Sequence, residues 1–122
     1  RFYDQIHLWV VLAELKRVAR ANQGLIDYLQ NRSLANAEPW MTAIAEFLLD
    51  KSDEATFLAA SKRGYNDVAI RGQTAEACFF VGLKRRLAGD GQKATDYFSK
   101  CVAAHQTAYL EYILASAELK KQ

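Results

Sequence analysis

The residues that could carry out chemistry are few and scattered along the chain. Zinc needs several Cys or His ligands in close pairs, and only Cys101 and His105 fall at a helical spacing of four residues. Cys78 and His7 lie far from that pair in the sequence. No combination of Ser, His and Asp marks a sharp turn that could expose a nucleophile. We therefore predict a chain with no metal site, no cofactor and no enzymatic activity.

Two short motifs could hold a phosphate group. Gly89-Asp90-Gly91 lacks the Lys and hydroxyl residue of a P-loop and is too short to wrap an anion, so it predicts a turn between helices. Lys84-Arg85-Arg86, with Arg71 upstream, is the only dense basic cluster. Consecutive helical residues point about 100° apart, so these three charges cannot all face one partner. We expect a solvated helix face, with nucleic-acid binding as the disfavoured alternative.

The two cysteines lie in apolar helical segments. If Gly82 faces Ala94 in an antiparallel pair of helices, Cys78 and Cys101 are offset by nearly one turn, which disfavours a disulfide between them. Two thiols also do not make the dense framework of a small secreted domain. We predict that both cysteines fill the core.

Composition limits the class of protein. The chain has 122 residues, is 51% hydrophobic and contains one Pro and 6 Gly, which excludes intrinsic disorder and low-complexity sequence. A net charge of +2 is too small to create the strong positive field used by nucleic-acid-binding proteins. No apolar stretch approaches the length needed to span a membrane. These numbers predict one globular domain with a substantial core.

Apolar residues recur at helical rather than strand spacing throughout the chain. The first helix is predicted over residues 2–21, followed by a break at Asn22-Gln23-Gly24, a short helix over 25–29 and a loop over 31–38. This first helix carries two apolar faces, so we expect neighbours on both sides of it. One face consists of Ile6, Trp9, Val10 and Ala13, and the adjoining face consists of Leu8, Val11, Leu12, Leu15 and Val18.

Five further helices complete the predicted all-α fold. Pro39 marks the first position of the third helix, which ends near Lys51, and Ser52 or Asp53 provides the N-cap of the fourth. After a turn-rich break over 63–67, a fifth helix is clear from about residue 75 and ends at Gly89. The sixth and seventh helices are predicted over about 94–102 and 108–120.

The 34-residue segment 75–108 resembles a tetratricopeptide repeat. The family pattern is met at five positions, which are Val81, Gly82, Gly89, Ala94 and Phe98. Two antiparallel helices cross closely only where small residues meet, which explains Gly82 and Ala94. The segment departs from the pattern at Cys78, Arg85, Cys101 and Gln106, where the family usually has Trp, Tyr, Ala and Pro.

Two degenerate repeats are expected upstream, over about 1–38 and 39–71. Trp9 and Trp40 take the large opening position in them, which aligns Leu12-Ala13 and Ala43-Ile44 with Val81-Gly82. The resemblance thus implies a single domain over 1–122: three helical hairpins stacked as a right-handed superhelix and closed by a capping helix over 108–121.

The resemblance also implies a protein or peptide partner bound in a concave groove lined by the first helix of each repeat. The groove positions transfer to His7, Val10, Glu14, Arg17, Met41, Ala45, Leu48, Phe79, Leu83 and Arg86. The lining is mostly apolar and lacks the Lys and Asn pairs with which chaperone cofactors of this family clamp a carboxylate. Each lining residue can equally be covered by another repeat or by a second copy of the chain.

A weaker similarity concerns the cellular setting. The stretches Glu76-Ala77, Phe79 to Gly82, Glu111-Tyr112 and Ala117 to Leu119 are similar to the repeat end of bacterial tetratricopeptide lipoproteins of the new-lipoprotein-I type. That similarity implies an adaptor in the bacterial envelope. Without it, we expect a cytoplasmic protein. Because the chain begins at Arg1 without an initiator Met, we expect it to be part of a longer protein.

Two functions of different kinds follow from the predicted architecture. The first is a non-catalytic adaptor or scaffold module that binds a partner in the groove. The second is a structural or self-association segment, whose groove or two-faced first helix is occupied by a neighbouring subunit or by upstream sequence. A homo-oligomer therefore stays among the alternatives, whereas nucleic acid and direct membrane insertion are not expected.

Overall fold

The structure, a computed structural model, describes residues 2–31, 38–104 and 119. Over these residues the fold is all-helical, without a strand, which confirms the predicted all-α class. The predicted seventh helix lies outside the described residues except at position 119. The helices are α1 (Phe2–Glu14), α2 (Val18–Gln30), α3 (Pro39–Leu48), α4 (Glu54–Ala60), α5 (Asp67–Leu87) and α6 (Gly91–Ala104).

The chain divides into two compact units. The first, Arg1–Ser52, contains α1 to α3, and the second, Asp53–Gln122, contains α4 to α6. Within the first unit α1 packs against α2, and within the second α5 packs against both α4 and α6. The boundary between the units falls inside the predicted repeat over 39–71.

Local sequence determines where three of the helices begin. Pro39 occupies the first turn of α3, where its missing N–H is no loss, as the sequence predicts. The Asp53 carboxylate accepts a 2.8 Å hydrogen bond from the Thr56 N–H and caps α4, which confirms the predicted N-cap. The Asn66 side chain accepts an equivalent bond of 2.8 Å from the Ala69 N–H and starts α5.

The same turn ends α1, α3 and α5. A residue in the left-handed region follows the helix in each case: Lys16 with φ 63°, Asp50 with φ 60° and Gly89 with φ 88°. The next residue donates its N–H back to a carbonyl five positions earlier, at 2.9 Å for Arg17 to Leu12, 2.7 Å for Lys51 to Glu46 and 2.9 Å for Asp90 to Arg85. This is the Schellman arrangement, which satisfies carbonyls that would otherwise lack a partner at the helix end.

The predicted boundaries of the first two helices are wrong. α1 ends at Glu14 rather than near residue 21, and Gly24 lies inside α2 instead of breaking the chain. The reason is that the left-handed position at the end of α1 is occupied by Lys16, so no glycine marks the turn. α5 likewise begins at Asp67, about two turns before the point from which the sequence pattern is clear.

Trp9 joins α1 to α2. Its indole is fully buried, and its Nε1 donates a 2.9 Å hydrogen bond to the Asn22 Oδ1. Buried indole groups need such an acceptor because an unpaired N–H in the core costs stability. The bond fixes the position of Trp9 along α2.

Gly82 allows α5 and α6 to approach each other. A Cβ atom added at Gly82 would lie 2.8 Å from two ring carbons of Phe98 and 3.3 Å from the Ala94 carbonyl oxygen. The Phe98 ring is fully buried and also packs against Phe79, with ring centroids 5.9 Å apart. The glycine is therefore required by the crossing itself, because any side chain would displace a buried ring.

We predict that Gly82→Ala destabilises the protein by roughly 1–2 kcal/mol, because the added methyl group overpacks the Phe98 ring by more than the gain in helix propensity. Gly24→Ala is the matched control, since Gly24 is also inside a helix and its Cβ would meet only the Gln5 side chain at 3.4 Å. The control should be stabilising by about 0.5–1 kcal/mol. Urea unfolding followed by circular dichroism measures both changes, and equal shifts would contradict the close crossing.

We also predict that Gly89→Ala destabilises the protein by about 1–2 kcal/mol, because an L-residue strains the left-handed backbone. Gly91 lies two residues away, and a Cβ there meets no atom and needs no unusual φ. Gly91→Ala should therefore change the urea midpoint little. A Gly89→Ala variant as stable as the Gly91→Ala variant would show that the turn after α5 tolerates a side chain.

Candidate functional site

The structure places most apolar members of the predicted groove in the core. Five of the six are buried: Val10, Ala45, Leu48, Phe79 and Leu83. His7 and Met41 are half-buried, and so are the two charged residues Glu14 and Arg86. Arg17 is exposed and occupies the N-cap position of α2, without a capping hydrogen bond from its side chain, rather than lying on α1. These apolar side chains are therefore not offered to a partner, and a charge at Phe79 or Leu83 would disrupt the fold itself.

A different apolar surface is exposed, on α1, on the turn that follows it and at the first residue of α2. Leu8, Val11, Leu15 and Val18 are between 38% and 59% exposed, and we call these four residues the exposed stripe. Leu8, Val11 and Leu15 lie within an arc of about 60° on the helix. The buried residues of α1 are centred on the opposite side, so α1 packs through one face and presents the other to solvent.

Charged residues lie at both ends of the exposed stripe. Asp4 is one turn before Leu8 at the N-terminal end and is exposed. Lys16, Arg17 and Arg20 lie at the C-terminal end, and all three are exposed. The apolar stripe is therefore flanked by an acidic residue at its N-terminal end and by basic residues at its C-terminal end.

The second unit has a smaller exposed apolar surface. Tyr65, in the loop before α5, is 93% exposed, and Val68, in the first turn of α5, is 66% exposed. Two residues that straddle the start of a helix do not continue as a stripe along it. Val68 is nevertheless a suitable control position for substitutions in the exposed stripe, because it is an exposed helical valine far from the stripe in sequence.

A polar cluster ties three segments of the second unit together. Arg85 donates from Nε to Glu54 Oε1 at 2.8 Å and from Nη2 to Glu54 Oε2 at 3.1 Å. Its Nη1 also donates to Asp90 Oδ2 at 3.3 Å. The Tyr97 hydroxyl donates to Glu54 Oε2 at 3.5 Å. Arg85 therefore connects the start of α4 with the end of α5, and Tyr97 links the same carboxylate to α6.

The cluster raises the pKa of two of its side chains. The hydrogen bonds and charge of Glu54 raise the pKa of Arg85 still further, so the guanidinium stays charged. Partial burial, and then the Glu54 charge, raise the pKa of the Tyr97 phenol. Both shifts favour the protonated side chains, which are the ones that donate hydrogen bonds to Glu54. The cluster therefore has a structural role and is not arranged for proton transfer.

Sequence reasoning missed this cluster. It identified Arg85 as a departure from the tetratricopeptide pattern and as part of a basic run, but it named no partner for the guanidinium. The available signal was Arg85 itself, because an Arg in place of a large apolar residue on a packed helix requires a carboxylate nearby. That Glu54, 31 residues away, provides it could only be learned from the fold.

The remaining chemical candidates give no site among the described residues. Over 2–31 and 38–104 no three His, Cys, Asp or Glu side chains lie close enough together to hold a metal ion. His105 lies outside the described residues. In the part of the chain that the structure describes, no helix is both long enough and apolar enough to cross a membrane.

Cys78 and Cys101 are both buried and form no disulfide, which confirms the predicted core positions. Burial is also the main reason that the pKa of the Cys78 thiol is raised; Lys100 and Lys62 oppose the shift. A thiol held in its protonated form is a poor nucleophile and a poor metal ligand. Its environment therefore gives Cys78 a packing role.

Comparisons with protein-family models, curated proteins and solved structures find no match to this chain.

We predict that the protein loses stability as the pH rises above the ordinary thiol value of about 8.5, because unfolding then releases the proton that the buried Cys78 retains. The stabilisation that comes from the raised pKa is fully present below the thiol pKa of the unfolded chain. It is lost as the pH rises through the pKa of Cys78 in the folded state. Urea unfolding of the wild type and of Cys78→Ala at several pH values measures it. The wild type should lose more stability than the variant, and parallel losses would contradict a raised thiol pKa.

Proposed function

We propose that this chain is a non-catalytic protein–protein interaction module, an adaptor or scaffold that binds its partner through the exposed stripe on α1. The observation that carries the proposal is the exposure of Leu8, Val11, Leu15 and Val18 beside a fully buried opposite face. Contiguous apolar surface of this kind typically marks an interaction site. The proposal moves the binding surface from the predicted groove to the stripe, because most apolar groove residues are buried.

The spacing of the exposed stripe favours a helical partner. Leu8, Val11 and Leu15 are separated by three and four positions, the spacing of the a and d positions of a coiled coil, and the Leu15 N–H donates to the Val11 carbonyl at 3.1 Å as in a helix. Such a narrow seam accepts the side chains of one packed helix, whereas a peptide bound in extended form would need pockets for alternate residues. The partner is therefore expected to present a complementary apolar helix.

We further propose that the helices belong to a tetratricopeptide-like domain over 1–122. The recurrence of one turn supports it, since Lys16, Asp50 and Gly89 occupy the same left-handed position at intervals of 34 and 39 residues. The packing of Gly82 against Ala94 and Phe98 supports it in the last pair. Counted back from the turn, Trp9 takes the place of Gly82 in the first pair, one helical turn before the Ala13 that the sequence aligned there, so that pair is the most degenerate.

We predict that Val11→Arg abolishes capture of a partner protein, because it places a charge at the centre of the exposed stripe. Val68→Arg is the matched control, since it makes the same change at an exposed helical valine in the second unit. Wild type and both variants, immobilised in equal amounts, would be exposed to extract of the cells that produce the protein.

Retained proteins would then be identified by mass spectrometry. A protein bound by wild type and Val68→Arg, but lost at least about tenfold with Val11→Arg, is the expected result. Equal retention by all three forms would remove the exposed stripe from the binding function. Circular dichroism would show that each variant is folded.

A further inference from the structure

We infer that the partner of the exposed stripe is the same stripe on a second copy of this chain, with the two α1 helices packed antiparallel about a twofold axis near Val11. The inference rests on the proposed function, because it names the occupant of the same surface. Three features of the described residues support it: the spacing of Leu8, Val11 and Leu15, the charges at the two ends of the exposed stripe, and the symmetric placement of Leu8 and Leu15 about the axis.

The seam spacing makes α1 suitable for packing against another α1. Leu8 and Val11 on α1, with Leu15 directly after it, provide alternating leucine and valine knobs over about two turns, and an identical helix provides the holes between equivalent side chains. The residues on either flank are Gln5 and the half-buried Leu12 on one side, and His7 and Glu14 on the other. None of these four side chains places a like charge against the seam centre.

The end charges select the antiparallel orientation. In a parallel pair Asp4 would lie beside Asp4, and the basic residues Lys16, Arg17 and Arg20 would lie beside their own copies. Reversing one helix instead places Asp4 of each chain near the basic end of the other. Opposite charges at both ends of the contact favour this orientation, and like charges penalise the parallel one.

The symmetric placement of Leu8 and Leu15 about the axis limits the assembly to two copies. With the axis near Val11, Leu8 of one chain meets Leu15 of the other, and each contact occurs twice. An isologous contact of this kind uses up both surfaces and leaves none to continue a filament. The 13-residue α1 is about 20 Å long, so the contact is smaller than a standard interface and the dimer should be weak and reversible.

Sedimentation velocity of the whole chain, over concentrations up to about 1 mM, tests the inference. The wild type and Val68→Arg should shift from monomer to dimer with the same dissociation constant. Val11→Arg, which brings two added charges together at the axis, should raise that constant at least about a hundredfold. If Val11→Arg fails to fold, Leu15→Lys at the most exposed stripe position replaces it, with the same expected loss.

Charge reversal tests the orientation. Asp4→Lys alone should weaken the dimer, because it faces the basic end of the partner chain. Adding Arg17→Glu and Arg20→Glu to the same chain should restore it. An Asp4→Lys variant that dimerises as well as the wild type would overturn the antiparallel arrangement, since a parallel pair merely exchanges one like-charge contact for another.

The outcomes separate this inference from the function on which it rests. A wild type that stays monomeric throughout, or a Val11→Arg variant that dimerises equally well, overturns the self-pairing. If Val11→Arg nevertheless loses a different captured protein, the interaction module survives with another occupant. If capture and dimerisation are both unaffected by Val11→Arg, the inference and the proposed function fail together.

Discussion

The close approach of α5 and α6 at Gly82 is the contact on which the second unit depends. A buried phenyl ring lies where a Cβ would be, so the distance between the two helices is set by the absence of a side chain. That distance brings Phe98 against Phe79, and Cys101 on α6 is also fully buried. The Arg85–Glu54 pair then connects the start of α4 to the end of α5, and Tyr97 links the same carboxylate to α6. Apolar contact fixes the spacing of α5 and α6, and the charged pair fixes the position of α4 relative to them.

The turns at Lys16, Asp50 and Gly89 have the same backbone conformation although their sequences differ. Gly89 adopts the left-handed conformation without strain, whereas Lys16 and Asp50 adopt it at a cost typical of L-residues. All three allow the following N–H to return to the helix it has just left. The hydrogen bonds and the packing of the helices that follow must offset the strain at the two non-glycine positions. The turn is therefore conserved in geometry within this chain while its residue type is not.

The sequence predicts features that depend on one residue and misses those that depend on packing. Pro39 and Asp53 act through their own ring and carboxylate, and both helix starts were predictable. The turn at Lys16 was not, because a lysine carries no conformational signal and the tertiary structure imposes its φ. The family resemblance placed Phe79 and Leu83 among the groove positions, but a transferred position does not say whether the side chain is covered. Both side chains are buried, whereas the exposed stripe had been expected to be covered.

The turn at Lys16 also limits what the exposed stripe can do. If α1 had continued to residue 21, as its apolar spacing suggests, Val18 would join the seam and extend it over about three turns, which would favour tighter pairing. The left-handed residue ends the helix after Glu14, so the seam is limited to Leu8, Val11 and Leu15 and is followed by three basic side chains. Exposed leucine and valine cost the folded state little, because the unfolded chain exposes them as well. A short seam with charged ends thus supports a specific and reversible contact, and the same backbone turn that directs the chain into α2 limits its strength.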